Sequence, residues 1–376
     1  MRARAFAFVA VAALTTACSI LFGVDRDDYA SGAPDGAVDP DQAVPDAGPD
    51  IPTTTSDAAR SLHLYVLGGS VLLNDNLVNT VPTDKVYYAP IDANGDVGAF
   101  KETTRLPVPV RAHAAVADAD FLYVLGGESN QGDTDAVYAA RVQDDGTLGA
   151  WEQTGTRLAG ARNRHVAVAL GRRVYVAGGI GPSGRYDDIL VAELNEGKTG
   201  PFTQAQKLDV PNYAFAGVGE GSRLHFMGGL NDDGGTRTTS LTYSVTASGS
   251  LLPPEIEAPL LPGGACYHAA AVANGSIVSV GAVKQGVVLV TAEVAIGKLD
   301  AEGKVTAFTS GTSLPNVLWS HAVASAGGRV YVTGGLGPNA KPRYDHVLVG
   351  FGDPLVWKES ENRLPQSLAA HAAVIQ

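Results

Sequence analysis

HAVASAGGRVYVTGG, residues 321–335, is a phrase that the chain states repeatedly. It reads as a His, a short apolar strand, a polar turn, a second apolar strand and a closing Gly pair. Full copies occupy 113–127 and 165–179, and weaker copies occupy 215–229 and 268–282. In each copy the opening residue stands thirteen positions before the first Gly: 113 and 126, 165 and 178, 215 and 228, 268 and 281, 321 and 334. A further Gly pair at 68–69 has no opening copy before it, while the sequence finishes with HAAVIQ, 371–376.

Working outward, the first Gly of each pair falls at 68, 126, 178, 228, 281 and 334, so the spacings are 58, 52, 50, 53 and 53. Each pair is followed by a polar loop, a third strand such as VYYAPID (86–92) or ILVAELN (189–195), and a Gly turn. Five residues after the turn Gly comes an aromatic, Phe100, Trp151, Phe202, Phe308 and Trp357, with Pro254 the exception in the fourth unit. A period near 50 with four short strands per unit predicts an all-β six-bladed β-propeller over 61–376, one continuous structure rather than two or three domains. The C-terminal strand is expected to pair with the first blade and close the ring without a covalent bond, removing exposed sheet edges.

The Gly pair after an apolar strand, the later aromatic and the Arg before His resemble the kelch family, and the likeness extends to the central propeller of galactose oxidase. Phe215 in place of His and Ala282 in place of the second Gly mark two units as degenerate. The resemblance implies a binding or scaffolding module for a protein or a glycan. It also implies an alternative, since some six-bladed kelch-type propellers, such as sialic acid epimerases, are catalytic: a sugar-modifying enzyme or a lectin.

The chain has 376 residues, 45% hydrophobic, with 45 Gly and two Met, and a formal charge of −12. That charge argues against nucleic acid as a partner, because binding phosphates needs clustered Lys and Arg. Residues 1–17 carry Arg2 and Arg4, an apolar run from 5 to 14 and small residues before Cys18, the three parts of a secretory signal. The stretch before Cys18 resembles a lipobox, although Thr15 stands where Leu is usual and Leu14 lies one position earlier. The alternative is an ordinary signal peptide cut near Ala17. The resemblance implies acylation of Cys18 with palmitate-type chains and, with Ser19 next, sorting to the outer membrane of a Gram-negative envelope, either periplasmic or surface-exposed. Residues 18–60 are rich in Asp, Pro and Ala, with nine Asp against Arg26 between 25 and 57, and read as a disordered, self-repelling tether.

Five His, at 113, 165, 268, 321 and 371, open the innermost strands. Strand alternation should turn them into the neighbouring blades, hydrogen-bonded there, rather than along the axis as a metal site. Asp92, Asn94 and Asp96 mimic a calcium loop, but Val97 stands where the loop needs Gly and Thr103 where it needs Glu; a hairpin turn is the better reading. Cys266 beside Tyr267 resembles the Cys and Tyr that galactose oxidase links, without that enzyme's copper ligands, and Cys266 is expected to be a buried apolar residue. No nucleophile elbow, phosphate loop or zinc-binding His pair is present, so no enzyme activity, cofactor or metal is expected, and the protein is expected to be a monomer. The loops between second and third strands remain as the ligand face, with Arg185 and Tyr186 across the ring from Arg343 and Tyr344.

Overall fold

A computed structural model describes residues 61–72, 80–231, 233–256, 264–284 and 289–376. The signal peptide, Cys18 and the acidic tether lie outside the described residues. Among the described residues the structure is nearly all β, with one short 3-10 turn at Pro338–Ala340. Six antiparallel sheets form six blades, each with its first strand innermost. Blade two is representative, with strands Ala114–Ala117, Phe121–Leu125, Val137–Arg141 and Glu152–Gln153 in that spatial order.

Blade one is built from both ends of the propeller. Its innermost strand is Ala372–Ile375, paired with His63–Leu67 in the register Leu64 with Ile375 through Leu67 with Ala372. The backbones of His63 and Gln376 exchange hydrogen bonds of 2.8 and 3.1 Å at the end of this pair. The closure expected from the sequence is thus the one observed.

The blades pack face to face, which explains the sequence of the second strands. Tyr65, Tyr123, Tyr175 and Tyr331 are at most 1% exposed, among neighbours buried on both faces, so these strands are continuous apolar runs rather than alternating ones. Five interfaces between adjacent blades receive one of the later aromatics: Phe100 between blades six and one, Trp151 between one and two, Phe202 between two and three, Phe308 between four and five, and Trp357 between five and six. The indoles of Trp151 and Trp357 also donate to carbonyls of the preceding unit, Thr104 at 3.0 Å and Thr312 at 2.8 Å. The interface between blades three and four, where Pro254 replaces the aromatic, is filled by Phe215, Phe226 and Tyr243.

Second-strand tyrosines add a polar latch. The hydroxyls of Tyr65, Tyr175 and Tyr331 donate to the carbonyls of Gly146, Gly249 and Gly95, each in the third-to-fourth-strand turn of the next blade, and Gly197 N–H donates to the Tyr123 hydroxyl. His225 and Val278 hold the corresponding places in blades four and five. Truncation after residue 370 removes the inner strand of blade one and should abolish the cooperative thermal transition seen by circular dichroism. Tyr331→Phe, which deletes one latch, should cost only about 1 kcal/mol in urea unfolding.

Candidate functional site

Each chain segment entering a blade turns sharply just before its first strand. Ala112, Arg164, Ala214, Tyr267, Ser320 and Ala370 all have φ between 50° and 54°, a left-handed conformation that non-Gly residues rarely adopt. Their backbones explain the strain. Ala112 N–H donates to Ala370, Arg164 to Ala112, Ala214 to Arg164, Tyr267 to Ala214, Ser320 to Tyr267 and Ala370 to Ser320, at 2.7–3.1 Å. Six peptide groups thereby close a hydrogen-bonded ring around the axis, and a bond to each neighbour holds each residue in place. The ring frames a cavity of about 120 Å³ whose wall includes the five first-strand His and Phe215.

The five imidazoles point away from the axis. Each packs its Cε1 edge against the first Gly of the preceding blade's pair: a Cβ on Gly68, Gly126, Gly228, Gly281 or Gly334 would lie under 3 Å from the ring of His113, His165, His268, His321 or His371 respectively. Burial pulls their pKa values down, to about 4 for His113 and His268 and to about 3 for His165, His321 and His371. The expected hydrogen bonding between blades is closest at His371, whose Nε2 lies 2.9 Å from Thr333 Oγ1. At His113, His165, His268 and His321 a backbone hydrogen bond with Leu67, Leu125, Met227 or Val280 of the preceding blade opposes the fall in pKa, although its geometry is poor at both ring nitrogens. Among the described residues no group of three or more His, Cys, Asp or Glu is arranged to hold a metal ion.

The residues just before this ring divide the mouth into two halves. In blades four to six, Tyr213, Cys266 and Trp319 bridge to Leu230, Val283 and Leu336 and join one apolar cluster. Cys266 is fully buried there, its Sγ 3.4 Å from the Val283 carbonyl, and Tyr267 meets Trp319 edge to face. In blades two and three, Arg111 bridges to Glu128 and Asn163 to Ile180, and here the mouth is polar. Arg111 Nη2 lies 2.5 Å from Glu128 Oε1, and its Nη1 donates to Thr80 Oγ1 at 2.8 Å. Asn163 joins Asp133, at 2.8 Å, to Arg164. Burial pushes the Asp133 carboxyl up; Glu128 adds to the rise, and Asn163, Arg164 and Arg111 oppose it.

The four residues read from the sequence as the ligand face divide in the same way. The Tyr186 ring lies under the fully buried Arg162, 3.9 Å from its Cζ, and its hydroxyl donates to the Ala161 carbonyl. Arg162 is occupied by a two-pronged pair with Asp188, at 2.6 and 2.9 Å. Tyr344 stacks on His346 with centroids 4.4 Å apart and packs against the core of blades five and six. Arg185 lies over Tyr213 at 5.5 Å. Arg343 donates through Nη1 to the Ser70 carbonyl at 3.3 Å, and its Nε is buried without a partner. Both tyrosines are therefore engaged by the blades, while Arg343 is joined near the mouth by Arg111, Asp133 and Arg164. A pattern of residue types does not single out these three, because what brings them to the mouth is their register in three different loops.

On the opposite face, Asp92 Oδ1 accepts the backbone N–H groups of Asn94 and Asp96, both at 2.9 Å. Asp300 closes the equivalent turn of blade five in the same manner. These carboxylates serve hairpin turns.

The fold, its repeats and its closure define a six-bladed kelch-type β-propeller. The chain has homologues among kelch-repeat proteins: over 129 residues it is 29% identical to Kelch repeat and BTB domain-containing protein 12 of Danio rerio (32% of this chain, 19% of that protein), and over 151 residues 28% identical to human Kelch-like protein 34 (38% and 23%). It thus spans about a fifth of the length of these relatives. The solved structure of YjhT superposes with a TM-score of 0.62 at 13% identity, covering 78% of this chain and 97% of that one, a likeness of fold. No family model matches the chain.

The depressed imidazoles set a pH dependence. Folded pKa values lie below the ordinary 6.5, so unfolding takes up protons in acid. The stability this neutrality confers is complete above about pH 6.5 and is lost as pH falls towards 4 and 3. Each His contributes a slope of about 1.4 kcal/mol per pH unit within that window. His165→Phe, which copies Phe215 of blade four, should stay folded; in urea unfolding it should reduce the proton uptake by about one at pH 5, by somewhat less at pH 6 and by almost nothing at pH 7.5.

Proposed function

We propose that the protein is a lipid-anchored binding module of the outer membrane, presenting the channel-mouth face of its propeller to a protein or glycan. A kelch-type propeller suggests a protein-binding or enzyme-like module, and kelch-repeat homologues as a class mediate protein interactions, which favours the first. One observation carries the choice of face. The described chain enters the propeller at His63, at the outset of a second strand, beside Gly146 in a third-to-fourth-strand turn. That strand then runs to the Gly pair at the mouth, so an anchor at Cys18 followed by residues 19–60 would leave from the face opposite the mouth. The mouth, with the second-to-third-strand loops, then points away from the lipid. Triacylation of Cys18 would supply more than the two chains that stable attachment needs.

Metabolic labelling with a palmitate analogue tests the anchor: label on the wild-type chain and none on Cys18→Ala is expected, and label surviving on Cys18→Ala overturns it. A photo-crosslinking residue at Asn130, in the mouth-side loop of blade two, should trap a partner that the same residue at Asp144, on the opposite face, does not.

The second reading, a sugar-modifying enzyme, is favoured by Asp133, a carboxyl raised by burial beside Glu128, Arg111 and Arg164. A carboxyl raised in this way can serve in proton transfer. Under this reading Asp133→Asn retains its melting temperature but loses turnover of a reducing sugar acid, followed by proton exchange in NMR; equal turnover overturns it.

A further inference from the structure

Two guanidinium groups grip the same small hairpin from opposite sides. The hairpin pairs Ser70–Leu72 with Thr80–Pro82 in blade one. Arg343, from blade six, reaches the Ser70 carbonyl, and Arg111, from the segment entering blade two, reaches Thr80 Oγ1. The two cations feel each other: burial lowers the Arg343 pKa and the charge of Arg111 lowers it further, with no carboxylate acting in the other direction. Arg343 makes no ion pair among the described residues. The Nε atoms of both arginines are buried and without a partner, and Glu128 Oε2 beside them is also unsatisfied. A half-buried cation repelled by a second one, with its Nε–H unused, has lost hydration that nothing among the described residues replaces.

We infer that Arg343 and Arg111 form a site for a carboxylate-bearing ligand at the mouth, over the junction of blades six, one and two. The inference rests on the mouth being the binding face and names what that face recognises. The charges agree: among the described residues, Arg343, Arg111 and Arg164 against Glu128 and Asp133 leave one positive charge, which a monoanion neutralises. The shape agrees as well, since the planar guanidinium fork of Arg343 matches the two oxygens of a carboxylate. The apolar cluster of blades four to six fills the other half of the mouth, so the ligand meets the polar half.

The test is calorimetric titration of the full chain with glucuronate and with glutarate, in a buffer free of phosphate and carboxylate, and separately with inorganic phosphate. Saturable binding of one or both carboxylates is expected, weakened by added salt. Glucuronate alone would assign a sugar acid, and binding of both would assign the carboxylate itself. Arg343→Gln should lose at least about tenfold in affinity with an unchanged melting temperature. Arg343→Lys should not restore it, and Arg172→Gln, an exposed arginine on the opposite face, should bind as the wild type. Phosphate binding as tightly as the carboxylates, undiminished binding by Arg343→Gln, or no heat with either carboxylate overturns the inference. A partner still trapped at Asn130 in Arg343→Gln would overturn this site alone and leave the binding face standing.

Discussion

The contact between a glycine of one blade and an imidazole of the next is what the remaining architecture depends on. Gly68 and Gly126 adopt φ of +55° and +57°, and a Cβ on either would lie 2.6 or 2.7 Å from the carbonyl oxygen of Val110 or Arg162. Only a residue without a side chain allows this approach. The second Gly of the pair meets the blade's own first strand, Gly127 against the His113 Cβ and Gly179 against the His165 Cβ. Each His is thus clasped between its own blade and the preceding one. With the blades held this close at the axis, the innermost strands have room for little more than Ala, Gly, Ser and Val, as in Ala269–Ala273 and Ala322–Ala326. Larger side chains are displaced outward, where Trp151 and Trp357 wedge between blades.

This constraint decides what can be read from the chain and what cannot. Close approach needs Gly, and wedging needs an aromatic at a fixed remove; both requirements recur at each blade, so the blade count, the strand order and the closure by 372–375 are legible. The ring of six left-handed residues is not. It is a backbone device, and its members are Ala, Arg, Ala, Tyr, Ser and Ala, with no Gly to betray a positive φ. The role of the His was legible in part: its place between the blades follows from strand alternation, whereas the fit of its Cε1 edge against a glycine follows from the exact tilt of the ring. The pairing of Arg343 with Ser70 spans 273 positions and exists only because the ring closes.

The blades are unequal, and the inequality follows the departures from the repeat. Blade four has Phe215 for His, His225 for the latch tyrosine and Pro254 for the aromatic; blade five has Val278 and Ala282. Here interlocking polar contacts give way to apolar filling, with Phe215, Phe226 and Tyr243 in one interface and Cys266, Trp319 and Leu336 near the mouth. His225 recovers one polar contact within its own blade, to Thr242 Oγ1 at 2.8 Å.

The same comparison locates the face where chemistry can reside. Positions that the fold constrains repeat, and residues that repeat are accounted for by packing. The position just before the left-handed ring does not repeat: it is Arg111, Asn163, Tyr213, Cys266, Trp319 and Ala369 in successive blades, although each makes the same backbone bridge. Since the bridge uses only peptide groups, the side chain there is free to vary without loss of the propeller. Four of the six, Tyr213, Cys266, Trp319 and Ala369, join the apolar half of the mouth, and the other two bring a guanidinium and an amide to the polar half. A charged side chain kept at a position that the fold leaves free, beside a second arginine that pairs with no carboxylate among the described residues, costs stability and contributes nothing to closing the ring. The cost is offset when an anion from outside the chain takes up the donors.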